Sequence, residues 1–196
     1  MKPVGGADGS ARARLHLVPA LDDGTPSSLS LSVGDLVVYA SHGIGRVEST
    51  QSSRGDLPET VVLAFESGLR VTLPVARASE ALRAVAGSED LESVRSTLAA
   101  DAPPTAESWS RRHRTMREAV AAGSLTGLAE VVRDGLQREW KLAAGAGGRQ
   151  LAPSERELYL QARKLLTAEI AACCGIEMAA ADAWIVDQVN SGPEQP

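Results

Sequence analysis

The stretch Glu107–Glu118, ESWSRRHRTMRE, sets Trp109 ahead of Arg111, Arg112, Arg114 and Arg117 in a chain whose formal net charge is -5. A flat apolar ring among guanidinium groups is a combination that proteins use to unstack or prop a base step while holding adjacent phosphates. On helical spacing Trp109, His113, Met116 and Val120 also share one face, which would make the ring a core anchor. The spacing leaves both roles open. Trp109 falls in the first turn of the expected helix, beside a proline-rich approach, where a ring can project past the helix end.

Other chemistry is sparse. The run His42–Val47, HGIGRV, lacks the third glycine and following helix of a phosphate-cradling loop, and fits a β-turn better. No nucleophile-elbow motif frames a serine, and no carboxylate pair stands apart from the solvated charges. The histidines His16, His42 and His113 are far apart in sequence, so no metal site is expected. The adjacent Cys173 and Cys174 lack redox or zinc spacing and read as buried, reduced thiols. These observations argue against an enzyme and imply no cofactor.

A chain of 196 residues can bury a substantial core, as one large domain or two small ones. Aromatic residues make up only 3%, so aliphatic side chains must build most of that core. The net negative charge argues against a protein that coats nucleic acid indiscriminately, because bulk phosphate binding needs a basic surface. A local basic patch remains compatible with it. No apolar run is long enough to cross a bilayer and no secretory signal is evident, so the reading is cytoplasmic.

The elements that must position Trp109 follow from the period of the pattern. Residues 1–30 are rich in Gly, Ala, Asp, Pro and Ser without sustained periodicity, which suggests a disordered arm carrying Arg12 and Arg14. Over 31–86, the runs DLVVYA, GIGRVEST, ETVVLAF and LRVTLP predict four or five short strands. So few short strands suit a small, strongly bent barrel, with Gly43 and Gly45 permitting a tight turn or bulge.

From about Ser88 the period becomes helical, and about five helices are expected over 87–191, followed by a short tail at 192–196. Leu125, Leu128, Val132 and Leu136 form one stripe that Trp140 continues. Pro153, Ser154 and Glu157 give a capping-box signature for the next helix. Its apolar positions Leu158, Ala162, Leu165, Leu166 and Ile170 share a face, and Gly175 ends it. A last helix runs from Met178 to Val189 with Trp184 or Ile185 inward, while Pro103 and Pro104 mark a hinge region. The fold class is α+β.

The run VGDLVVYASHGIGRV followed by GLRVTLP resembles the RNA polymerase-interacting domain of the CarD and CdnL transcription regulators, a Tudor-like fold also used by transcription-repair coupling factors. WSRRHR, AEVVRD and LAPSERELYLQARKLLTAEI resemble the helical domain of CarD and CdnL, which the coupling factors lack. The resemblance covers about Ser32 to Val189, with the motifs in the same order.

It implies a β domain that docks on the β subunit of bacterial RNA polymerase and a helical domain that contacts promoter DNA at the upstream edge of the bubble. Such proteins stabilise the open complex. By the same resemblance, Trp109 enters the minor groove at the fork, and Arg111, Arg112 and Arg114 contact the backbone. Arg70 and Pro74 match the polymerase-facing strand, and Thr72 stands where a larger side chain is usual. Arg54, in the loop after the second strand, takes the place of a basic contact, and His113 replaces a common tyrosine.

The leading reading is a monomeric promoter-complex stabiliser with no membrane or small-molecule partner. The alternative is a divergent paralogue that serves as a polymerase- or protein-binding adaptor with little DNA binding.

Overall fold

In the computed structural model, which describes residues 31–52, 58–102, 108–145 and 150–192, the alternating pattern of the first part becomes one antiparallel sheet. Strands β1 (Leu36–Tyr39), β2 (Gly43–Gln51), β3 (Thr60–Phe65) and β4 (Arg70–Pro74) are joined by β5 (Leu82–Ala84) in the order β4-β3-β2-β1-β5. Strand periodicity of two puts Val61, Leu63 and Phe65 of β3 inside. They pack with Val37, Val47, Ala78 and Leu82.

Among the described residues β4 and β5 do not pair, so the expected barrel stays an open sheet. The reason is helix α1 (Val75–Ala81), which follows Pro74 directly. It takes up the chain between β4 and β5, packs against β3, β4 and β5 and buries Ala78. Between β1 and β2 lies a 3-10 turn, Ala40–His42, which ends at Gly43 with φ +81°. The register irregularity falls between Val47 and Ser49, further along β2 than the glycines.

Five helices follow, as the spacing predicts: α2 (Ser88–Ala99), α3 (Trp109–Ala122), α4 (Leu125–Ala144), α5 (Pro153–Cys174) and α6 (Met178–Asn190). Their core gathers Leu98, Leu128, Val132, Tyr159, Leu166 and Ile185, all almost completely buried. Ile185 is the inward residue of α6, with Trp184 half-buried against the same core. The stripe of α4 breaks at Trp140, which is 37% exposed.

Two local expectations are corrected. The capping box at the start of α5 does not form: Ala152 is the N-cap and Pro153 the first helical residue, without a side-chain cap. Proline's fixed φ suits that position, which moves Ser154 into the helix and brings Glu155 to the end of its first turn. The cysteines are free but not both buried, since Cys173 is half-buried and Cys174 exposed beside Gly175, the left-handed residue that ends α5. Burial pushes the Cys173 thiol above its ordinary value. Residues 1–30, Arg54, Pro103 and Pro104 lie outside the described residues.

The β part and the helical part have separate hydrophobic clusters and meet along a narrow seam. There Gly123, the C-cap of α3 with φ +63°, faces the backbone of Ala40, so that an added Cβ would lie 2.8 Å from the Ala40 Cα. On the other side, Gly43 sits against Leu165 of α5.

Candidate nucleic-acid interface

Trp109 is the first residue of α3, after Ser108 at the N-cap. Its ring is 48% exposed and stacks on His113, one turn along the helix, with centroids 5.2 Å apart and planes 23° from parallel. The apolar face expected on α3 therefore divides. Val120 is buried and Met116 packs against the helical core, whereas Trp109 lies outside that core, propped by an imidazole. Of the two roles that its spacing allows, core anchor is the one the geometry does not support.

The arginines divide as well. Arg111, Arg114 and Arg117 are exposed. Arg112 is partly buried, with its Nη2 3.6 Å from Glu155 Oε1 in the first turn of α5. Glu155 is only 3% exposed, and the same oxygen accepts a hydrogen bond from Arg138 Nη1 of α4 at 2.9 Å. One buried carboxylate thus draws together the N-terminal turns of α3 and α5 and the second half of α4. A cleft of about 560 Å³ between α3 and α4 has Arg112, Met116, Arg138, Lys141 and Glu155 in its walls.

This end of the helical part also carries exposed Lys141 and Arg156, the latter 3.8 Å from Glu139. Exposed cations at the start of a helix add to the partial positive charge of its unsatisfied N–H groups, which favours an anionic partner. Arg138 belongs to none of the runs that carry the resemblance, and Glu155 lies within one without being marked out in it. The available signal is that Glu155 recurs with Tyr159, Ala162 and Leu166 on the buried stripe of α5, where a charged residue needs a partner.

A second surface lies on the β part. Among the described residues strand β4 is an edge of the sheet, with no strand paired to one side of its backbone. Arg70 and Thr72 are exposed on one face, with Pro74 half-buried two residues on. Arg70 Nη2 donates to Glu48 Oε1 of β2 at 2.7 Å, and Leu69, also exposed, precedes the strand. The three residues expected to share a strand face are therefore brought together, at a distinct surface from the α3 end.

Residues 31–86 match the family described as CarD-like/TRCF RID domain, and residues 93–186 match the one described as CarD, C-terminal domain. The chain belongs to the CarD/CdnL family. The family is transcription-associated and interacts with RNA polymerase, through domains that regulate and bind rather than catalyse. In this CarD/CdnL member the first match takes in the whole sheet with β4, and the second takes in α3 with Trp109. Among the described residues no helix is long and apolar enough to cross a membrane, and no cluster of His, Cys, Asp or Glu is arranged to hold a metal ion.

Proposed function

We propose that this CarD/CdnL member binds the β subunit of bacterial RNA polymerase with its β4 surface and stabilises the promoter open complex with the α3 end of its helical part. Arg70, Thr72 and Pro74 form the dock, and the family resemblance assigns Arg54, outside the described residues, to the same contact. An edge strand can add backbone hydrogen bonds to an extended segment of a partner, while alternate side chains supply selectivity. At the other surface Trp109 wedges into the upstream fork of the bubble. Arg111 and Arg114 hold the flanking phosphates, and Arg112, drawn toward Glu155, mainly sets the position of the helix end.

The observation that carries this reading is the exposure of Trp109 at the start of α3, among cations. A half-exposed ring offers a flat apolar face that a stacking or wedging partner can cover. Closed duplex offers the wedge no equal site, so the protein favours the open state through differential affinity. A coupling of about 1–3 kcal/mol corresponds to roughly a 5- to 150-fold shift in that equilibrium. Polymerase supplies most of the positioning, which lets a chain with net charge -5 act on DNA through a small basic patch.

The test is the lifetime of competitor-challenged open complexes formed by the cognate polymerase with wild-type protein, with Trp109→Ala, and with neither. Wild type is expected to lengthen the lifetime and the variant to lose that effect while still binding polymerase. Equal loss of polymerase binding and open-complex stabilisation in Trp109→Ala would refute the assignment. If wild type has no effect on lifetime while binding polymerase, the adaptor reading replaces the stabiliser.

A further inference from the structure

The seam between the β part and the helical part contains one charged assembly that neither surface uses. Arg83 lies on β5 and Glu169 on α5. The guanidinium grips the carboxylate with both terminal nitrogens, Nη1 on Oε1 and Nη2 on Oε2, the latter at 2.8 Å. Nη2 also donates to the Gly123 carbonyl at the end of α3, at 2.8 Å. The backbone N–H of Ala86, in the connection to α2, donates to Glu169 Oε1 at 3.2 Å. Glu169 is 2% exposed. A single ion pair therefore ties together β5, the β5–α2 connection, α3 and α5.

We propose that Arg83 and Glu169 are positioning residues that lock the polymerase-docking strand and the Trp109 end at one fixed mutual angle. The inference rests on the function proposed above. Three observations carry it.

First, the two hydrophobic clusters are separate, so no common core sets the angle. Second, the neighbouring close approaches at the seam are made at glycines, Gly123 on the backbone of Ala40 and Gly43 on the side chain of Leu165, so on the glycine side no side chain interlocks. Third, the bond pattern is directional. A planar fork on a carboxylate, with a third acceptor on another helix, specifies orientation as well as distance. An apolar pair of similar volume often holds such a seam as firmly, but hydrophobic contact is non-directional.

Fixed orientation matters because the protein makes two separate contacts in one complex. Once β4 is docked, the chance that Trp109 meets the fork is an effective concentration, and it falls when the joint between the two surfaces swings freely. Locking the joint lets both contacts act together.

The variant to make is Arg83→Lys, which keeps a cation beside the buried carboxylate but loses the fork and cannot reach all three acceptors at once. Spin labels at Val33→Cys and Leu160→Cys, both exposed in the wild type, are introduced into the full chain with Cys173→Ala and Cys174→Ala. The parent is expected to show one narrow inter-label distance and Arg83→Lys a broadened one, with both proteins folded by circular dichroism.

In unlabelled protein, affinity for polymerase without promoter and affinity of the free protein for forked promoter DNA should each stay within about twofold of wild type. The open-complex lifetime should nonetheless shorten by about tenfold. A distance distribution as narrow as the parent's would overturn the lock, as would a lifetime that falls only as far as the separate affinities do. Should wild type itself leave open complexes unchanged, the functional reading fails on its own, and the distance measurement still decides the lock.

Discussion

Replacing Gly123 with alanine tests the close approach between the β part and the helical part, and Gly175 supplies an internal control. Both glycines end a helix in the left-handed region, at φ +63° and +65°. An alanine in that conformation costs about 1 kcal/mol at either place. Only their surroundings differ. A Cβ at Gly175 meets nothing within 4 Å, whereas one at Gly123 would lie 2.8 Å from the Ala40 Cα and 3.1 Å from its carbonyl carbon and oxygen.

Those Ala40 atoms are backbone and cannot move aside by changing rotamer, so overpacking adds about 1–3 kcal/mol. Gly123→Ala should therefore cost about 2–4 kcal/mol and Gly175→Ala about 1 kcal/mol. With a urea slope of about 2 kcal/mol per molar, the midpoints fall by about 1–2 M and about 0.5 M respectively. Trp109, Trp140 and Trp184 all lie on helices α3, α4 and α6, so intrinsic fluorescence reports the helical part directly. If Gly123→Ala shifts the midpoint no more than Gly175→Ala, the two parts do not meet as described.

Three further outcomes are expected. Arg111→Ala, an exposed site, should change stability by less than about 0.5 kcal/mol yet reduce the salt slope of forked-DNA binding by about one. Arg112→Ala should instead cost about 1–2 kcal/mol, because Glu155 is then left buried with Arg138 as its nearest remaining cation; urea unfolding and salt titration of the two variants check the contrast. Burial pushes the Tyr159 phenol above its usual value near 10, and the Cys173 thiol is raised from 9.0 for the same reason. The unfolded chain therefore ionises first, so this contribution to stability is complete below about pH 9 and is lost as pH rises toward the folded values. Tyr159→Phe should flatten the alkaline fall of the unfolding midpoint, while losing the 2.8 Å bond from Arg163 lowers stability at neutral pH. An unchanged alkaline limb would refute the role of that phenol.

The sequence carries periodicity well and long-range pairing poorly, and the particular residues show why. Val61, Leu63 and Phe65 alternate and Leu128, Val132 and Leu136 recur at helical spacing, so β3 and α4 are readable from a local window. Whether β4 meets β5 depends on what fills the gap, and α1 is too short to dominate any pattern. At Pro153 two local rules compete, and proline's preference for the first helical position overrides the Ser154–Glu157 signature. Trp109 and its arginines are legible as a cluster, but the inward turn of Arg112 depends on Glu155, distant in sequence. Arg83 and Glu169 are farther apart still, and an isolated arginine and glutamate carry no local mark of partnership.

Separate hydrophobic cores also bear on how such a chain can be inherited. A β sheet that buries Val47, Val61 and Leu63 among its own side chains needs little from the helices to satisfy them. Its ties to the helical part include the Arg83–Glu169 pair and the close approaches at Gly123 and Gly43. A sheet with its own core can serve as a unit by itself, and the family description that matches residues 31–86 names coupling factors beside CarD-like proteins. The seam, which belongs to neither hydrophobic cluster, is where such a chain can be divided between its two cores.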